Sequence, residues 1–147
     1  MSGARIFVDA DACPVRDEIV AVAERLGVEV FLVSNRGFRV TEHPTVHNIV
    51  VSQDLDAADD WIVDQVAASD VVITGDIPLA SRCLEAGARV IDHKGKAFTV
   101  ANIGMALSMR ELMSDLRAMG EAKGGGPAFT KQDRSRFREA LDKALRG

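Results

Sequence analysis

Ile6-Phe7-Val8-Asp9-Ala10-Asp11 near the N-terminus and Val71-Val72-Ile73-Thr74-Gly75-Asp76 in the middle of the chain decide how this sequence reads. Each begins as an apolar run of the kind that forms a strand buried on both faces, and each ends in carboxylates. Parallel strands of one sheet finish on a common edge, where open α/β sheets bind their ligands. Carboxylates gathered at such an edge repel one another unless a cation or shared protons compensate. The two stretches therefore predict a divalent-metal site, and with it phosphoryl-transfer or hydrolytic chemistry.

Around them, strand-like and helix-like segments alternate along the whole chain, the pattern of an α/β layer fold. Strands are expected at about residues 4–9, 28–34, 46–51, 70–74 and 88–92. The first helix opens near Pro14, shows Ile19, Val22, Ala23 and Leu26 on one face, and stops at Gly27. Further helices are expected at 55–68, at 76–86, and as one or two segments within 99–119, with residues 35–39 and 93–97 as loops. Gly124-Gly125-Gly126-Pro127 reads as a linker, followed by a capped helix from about Thr130 to Arg146. That last helix carries few large apolar residues (Phe137, Leu141, Leu145), so it is expected to pack loosely or onto a partner. The fold class is thus three-layer α/β/α with a mostly parallel central sheet. Residues 1–123 form the main domain, and 124–147 are a linker and basic helix packed on or extending it.

The composition is that of an ordinary globular chain: 147 residues, 47% apolar and 27% charged. No apolar stretch approaches the roughly 18–20 residues needed to span a bilayer. The start, Met-Ser-Gly-Ala-Arg, runs straight into a strand without the apolar core of a signal peptide. A cytoplasmic location without membrane contact is expected. Two cysteines, Cys13 and Cys83, suit reduced thiols better than a disulfide framework, and no His stands at zinc-ligand spacing from them. The net charge of -4 conceals an asymmetry. Residues 1–109 hold nine Lys/Arg against sixteen Asp/Glu, and residues 110–147 hold nine against six. A basic tail on an acidic body can steer a polyanion, although a solvated helix surface explains the same charges. Six Phe, one Trp and no Tyr leave few platforms for stacking bases.

Three acidic groups are candidates for chemistry. Asp9 and Asp11 share a side-chain direction if the strand stays extended, and Asp11 alternatively caps the helix that follows. Asp54, Asp56, Asp59, Asp60 and Asp64 crowd the start of a helix, where the macrodipole alone accounts for Asp54 and Asp56. Asp76 is either a functional carboxylate or the N-cap of the helix containing Pro78. Together they can gather oxygens around Mg²⁺ or Mn²⁺, with Thr74 orienting a carboxylate or a water. Asn35, Arg36 and Arg39 after the second strand, and His93, Lys94 and Lys96 after the fifth, are placed to meet phosphate oxygens. Cys13 at a helix start invites a thiolate through the helix dipole. Asp9 and Asp11 oppose that, and a small buried side chain is the preferred reading. The triple glycine lacks the Gly-Lys-Ser/Thr ending of a phosphate loop.

Val8-Asp9-Ala10-Asp11-Ala12-Cys13-Pro14, Thr74-Gly75-Asp76-Ile77-Pro78-Leu79-Ala80, and the late Gly-Gly-Gly-Pro with Asp133-Arg134 resemble the bacterial YaiI/YqxD family over nearly the whole chain. That family has no assigned activity; its fold is regarded as similar to the PIN-like nuclease domain. The resemblance implies an Asp after the first strand, an acidic residue on a central helix and an Asp in a Thr-x-Asp motif as ligands of Mg²⁺ or Mn²⁺. Here these are Asp9, Asp59 (with Asp56 or Asp60 as alternates) and Asp76, with Asp11 an additional or second-layer ligand. The implied function is a metal-dependent phosphodiesterase acting on RNA or another phosphate-containing substrate, with Arg36, Arg39 and Lys94 on phosphates. Asp11, the Cys13-Pro14 pair and the basic C-terminal extension have no counterpart in a minimal PIN domain. Three alternatives stay open: a non-catalytic nucleic-acid-binding or regulatory module, a small-molecule phosphohydrolase, and a haloacid-dehalogenase-type enzyme. The last lacks an obvious downstream lysine and acid pair.

Overall fold

The structure, a computed structural model, describes residues 4–11, 13–35, 43–54, 56–118 and 129–146. Its elements run β1 (Arg5–Asp9), α1 (Arg16–Leu26), β2 (Glu29–Ser34), β3 (Val46–Val50), α2 (Ala57–Gln65), β4 (Val71–Ile73), α3 (Ile77–Glu85), β5 (Arg89–Ile91), β6 (Ala97–Phe98), α4 (Val100–Ala118) and α5 (Lys131–Arg146). The six strands form one sheet in the order β3-β2-β1-β4-β5-β6, parallel except for β6 against β5. The chain is thus the α/β protein with a mostly parallel sheet that its apolar runs predict. No helix among the described residues is long and apolar enough to cross a membrane.

Strand alternation divides the core into two layers. Ile6 and Val8 of β1, Val30 and Leu32 of β2, Val71 and Ile73 of β4 and Ile91 of β5 turn toward α1 and α5. Phe7, Val33, Val72 and Val90 point to the other side, where they meet Ile62 of α2 and Leu79, Ala80 and Cys83 of α3. Phe7 stacks on Phe31 with ring centroids 5.0 Å apart, and Trp61 tilts against both rings. From β1 the chain adds β2 and β3 on one side, then crosses back to place β4 and β5 on the other. That reversal puts α1 and α3 on opposite faces, as crossovers of a single hand require.

Several elements depart from the expected boundaries. Helix α2 is shorter than 55–68, because Asp56 takes a left-handed conformation (φ 65°) before it and Val66 is extended after it. Residues 93–97, expected as loop, are a tight reversal that returns Ala97 and Phe98 alongside β5. Gly95 serves that reversal with φ 88°, and a Cβ there would lie 2.8 Å from the carbonyl oxygen of Arg136 on α5. Residues 100–118 form one helix, opened by a reciprocal cap in which Thr99 and Asn102 each accept from the other's backbone N–H.

The expectation that α5 packs loosely is overturned. Phe137 and Leu141 are fully buried and Leu145 nearly so, all within the layer that holds α1. Three apolar residues suffice because they recur every fourth position and form a single stripe. Polar contacts then fix the helix start. Thr130 and Asp133 close a capping box at 3.0 Å in each direction. Arg134 donates to the Pro14 carbonyl (2.7 Å) and to Oε1 of Glu18 (2.8 Å), and its guanidinium lies over the Phe129 ring. The triple-glycine linker lies outside the described residues.

At the other end of the sheet, Asp70 is 1% exposed and accepts from the backbone N–H, Nε and Nη2 of Arg5 and from the N–H of Ala67. Two variants test these clamps by denaturant unfolding. Asp70→Ala leaves the Arg5 cation and two N–H donors without their acceptor, and stability is expected to fall by about 3 kcal/mol. Arg134→Leu is expected to cost a similar amount, about 3 kcal/mol, by stranding the buried Glu18 charge. Adding Glu18→Gln to Arg134→Leu should restore part of that loss, since an amide is less costly to bury than an unpaired carboxylate.

Candidate functional site

The C-terminal ends of β1 and β4 lie side by side, with Val8 opposite Ile73. This is the point at which the strand order reverses, and the crevice beyond it is the usual ligand position in open α/β sheets. The next residue on β1 is Asp9; the next on β4 is Thr74, which is fully buried. Thr74 Oγ1 donates to Oδ2 of Asp9 at 3.0 Å and accepts from the N–H of Asp76 at 3.0 Å. One hydroxyl therefore ties the first acidic motif to the second. Asp76 in turn caps α3, its Oδ1 accepting from the N–H of Leu79 at 3.3 Å, with Pro78 in the helix's first turn. Orienting Asp9 and capping α3 are both structural roles, each using one carboxylate oxygen of a half-buried side chain.

The third member comes from α2. Asp56 is left-handed and lies just outside the helix, and Asp59 and Asp60 are consecutive in its first turn, so they point in different directions. Asp60 is exposed and bound to Arg82 of α3 at 2.9 Å. Asp59 is half-buried, and burial together with the charges of Asp76, Asp9 and Asp56 pushes its carboxyl up to about 6, with Arg82 offsetting part of the rise. Asp9 is likewise raised by burial, less the effect of the Thr74 hydrogen bond, and by the charges of Asp76 and Asp11. Asp9, Asp59 and Asp76 thus act on one another electrostatically. Even so, among the described residues no group of three or more His, Cys, Asp or Glu side chains is arranged to hold a metal ion.

The remaining candidates separate. Asp11 does not cap α1, whose N-cap is Val15; its Oδ2 accepts from the N–H of Asn35 at 3.2 Å and so binds the end of β2 to the loop after β1. Asp54 pairs locally with Ser52, and Asp64 is exposed. Arg36 and Arg39 lie outside the described residues. Lys94 stands on the turn after β5, where Oδ1 of Asp92 accepts from the N–H groups of Lys94 and Lys96. Cys13 is the small buried side chain that its sequence context favours over a thiolate. Its side chain is buried, and burial raises the thiol to about 11 against the smaller pull of the Val15 backbone and Arg16.

His93, expected among the phosphate contacts, follows β5 and packs beside Gly75, within the Thr74–Asp76 turn. Its Nε2 is buried without a hydrogen-bond partner, and burial holds the imidazole below its usual pKa. Beyond His93 opens a cleft of about 700 Å³ between α4 and the β5–β6 turn, walled by Gly75, Ile77 and one face of α4. The signal for it is the spacing of Met105, Met109 and Met113, which puts all three on one helix face, and which reads equally well as core.

A doubly wound α/β domain with acidic groups at its switch point is the class these observations define. The chain belongs to the YaiI/YqxD family of uncharacterised bacterial proteins, whose model matches residues 7–147. It is 58% identical over 137 residues to a UPF0178 protein of Parvibaculum lavamentivorans, covering 93% of this chain and 90% of that one. It is 54% identical over 146 residues to a UPF0178 protein of Nitrobacter winogradskyi, covering 99% and 93% respectively. A UPF0178 protein of Mesorhizobium japonicum is 53% identical, again over 146 residues. No solved structure matches the chain.

The electrostatics of the crevice are testable through Asp59. Its folded pKa of about 6 lies above the unfolded value of about 4, so the folded chain binds more protons between those pH values. The stability that this proton confers is present in full below about pH 4 and is lost as pH rises through 6. Asp59→Asn, fixed in the neutral form, should therefore be more stable than the native chain above pH 6. The gain is about 1 kcal/mol, reduced from the full shift because the carboxyl is partly in water. Side-chain carboxyl NMR on the native chain should show a titration midpoint near 6 that is absent from the variant.

Proposed function

We propose that this protein is a divalent-metal-dependent phosphodiesterase acting on RNA, with Asp9, Asp59 and Asp76 as ligands of Mg²⁺ or Mn²⁺. The observation that carries the reading is the Thr74 hydroxyl bonded at once to Asp9 and to the backbone of Asp76, which holds two carboxylates at the crevice where β1 and β4 diverge. The mutual repulsion of the three carboxylates supports it, since hard divalent cations relieve such repulsion and prefer carboxylate oxygens. Mg²⁺ commonly takes only one or two carboxylates and fills its octahedron with water and substrate phosphates. The lack of a closed group of three side chains among the described residues is compatible with that mode of binding. When bound, the ion supplies positive charge to a phosphodiester and acidity to a water.

The chain's own residues have separable tasks on this reading. Thr74 fixes the orientation of Asp9, so that the carboxylate's free oxygen is aimed without loss of side-chain entropy on binding. Asp76 is held by its capping bond, and its position is as rigid as the start of α3. Asp11 ties the loop after β1 to the end of β2 and closes that side of the crevice. Lys94 brings a cation to the adjoining edge for phosphate.

A second reading has an observation of its own. Asp9, Asp11 and Asp76 each already have a structural partner, which suits a non-catalytic nucleic-acid-binding module on the same scaffold. Cleavage of labelled single-stranded RNA and DNA with Mg²⁺ or Mn²⁺ by the native chain and by Asp76→Asn separates the two. Asparagine keeps a cap acceptor for Leu79, so the variant should stay folded. Metal-dependent RNA cleavage that falls by about two orders of magnitude in the variant is expected, the scale of losing an electrostatic catalytic group. Cleavage without metal, or equal in the two proteins, would overturn the assignment. Salt-sensitive RNA binding without any cleavage would establish the binding module.

A further inference from the structure

Resting on the phosphodiester reading, we propose that the cleft between α4 and the β5–β6 turn is a nucleotide subsite for single-stranded RNA: one base lies against the methionine face of α4 and its phosphate meets Lys94, Lys96 and Arg110.

Position is the first argument. Gly75 and Ile77, the two chain neighbours of Asp76, form part of the cleft wall, so the subsite lies beside the Thr74–Asp76 turn. A strand passing the crevice has its neighbouring nucleotide here. The volume of about 700 Å³ falls within the roughly 300–1,000 Å³ of small-ligand sites.

Chemistry is the second. Met105 is 75% exposed and Met109 53%, on a helix that packs against α3 and turns Ile103 and Ala106 to the core. Large apolar side chains left in water in a contiguous patch mark a binding surface. Thioethers suit the flat face of a base, because they are polarisable, adaptable and attracted to aromatic rings. Lys94, Lys96 and Arg110 line the same cleft. The one carboxylate among them, Asp92, is already engaged by the N–H groups of Lys94 and Lys96. His93 on the same wall is held neutral by burial, and its unpartnered Nε2 is a polar group in want of a hydrogen bond. An apolar floor with a cationic rim is complementary to a nucleobase and its phosphate. It is poorly suited to a second copy of this chain, since a two-fold contact through this face would set the same three cations against one another. The exposure of both methionines also favours a unit of a strand over a free nucleotide, which a dedicated pocket would bury by 70–90% or so.

The test is fluorescence anisotropy in EDTA, where no cleavage occurs, with a short 5′-labelled single-stranded RNA and the same strand bearing abasic sites. The intact strand should bind at least about tenfold more tightly than the abasic one, the scale of one stacked base. Met109→Glu, at an exposed position, should lose a similar factor of about ten with an unchanged melting temperature. Adenosine 5′-monophosphate should compete only weakly. Equal binding of intact and abasic strands by the native protein would overturn the subsite whatever the variant does. So would native-like binding by Met109→Glu, tight binding of the mononucleotide, or a change in Met109→Glu confined to sedimentation mass, which would assign the face to self-association. Base-dependent binding without any metal-dependent cleavage would retain the subsite and remove the nuclease. Cleavage with no base dependence would do the reverse.

Discussion

The parallel pairing of β1 with β4 is the constraint on which the remaining architecture depends. These strands are more than sixty residues apart in sequence, and each is completely buried at its centre. Polar contacts hold both ends of the pair. Asp70, at the foot of β4, takes up the backbone and guanidinium of Arg5 at the foot of β1. Thr74, just beyond the other end of β4, donates to Asp9 at the other end of β1. With register pinned at both ends, β2 and β5 add on opposite flanks and the helices distribute to opposite faces. A slip of one residue in this pair would turn Phe7 into the α1–α5 layer and separate Thr74 from Asp9.

The two clamps differ in the kind of electrostatics they create. At the foot of the sheet, a buried carboxylate meets a cation and its oxygens are fully used. At the head, Asp9, Asp59 and Asp76 have one hydroxyl donor, one backbone donor and only the partial help of an arginine committed to Asp60. Burial and like charge raise the proton affinity of Asp9 and Asp59. The fold thus satisfies its charge with four donors at one end and leaves carboxylates in mutual repulsion at the other. Perturbed carboxyls in a crevice are a common sign of chemistry, though ion-pair networks can also produce them.

The C-terminal helix belongs to the same logic. Phe137, Leu141 and Leu145 complete the layer begun by Ile6, Val8 and Ile19, while Arg134 reaches the Pro14 carbonyl and Glu18. The Asp133-Arg134 pair, prominent in the sequence, is thereby accounted for by a capping box and a clamp. Gly95 lets the β5–β6 turn press against α5, and the same turn carries Lys94 and Lys96 to the mouth of the α4 cleft.

The sequence by itself determined the elements. Apolar runs closed by Asp9 and Asp76, a glycine after α1 and a proline opening α3 are local signals, because they act through backbone sterics and burial within a few residues. Residue type and position also pointed to Asp9, Asp76 and an acidic group on one helix, within which only the family resemblance singled out Asp59. Only the tertiary structure decided which carboxylates meet. Asp59 feels Asp76 and Asp9 while Asp60 binds Arg82 because of where α2 lies against α3 and the sheet edge, which no pattern within α2 records. Whether Asp11 capped a helix or held the end of β2 depended on where β2 lay. The α4 methionines read as core from their spacing; that two of them lie in water follows from which face α3 covers. Such facts are set by contacts between distant segments, and pattern within one segment carries no record of them.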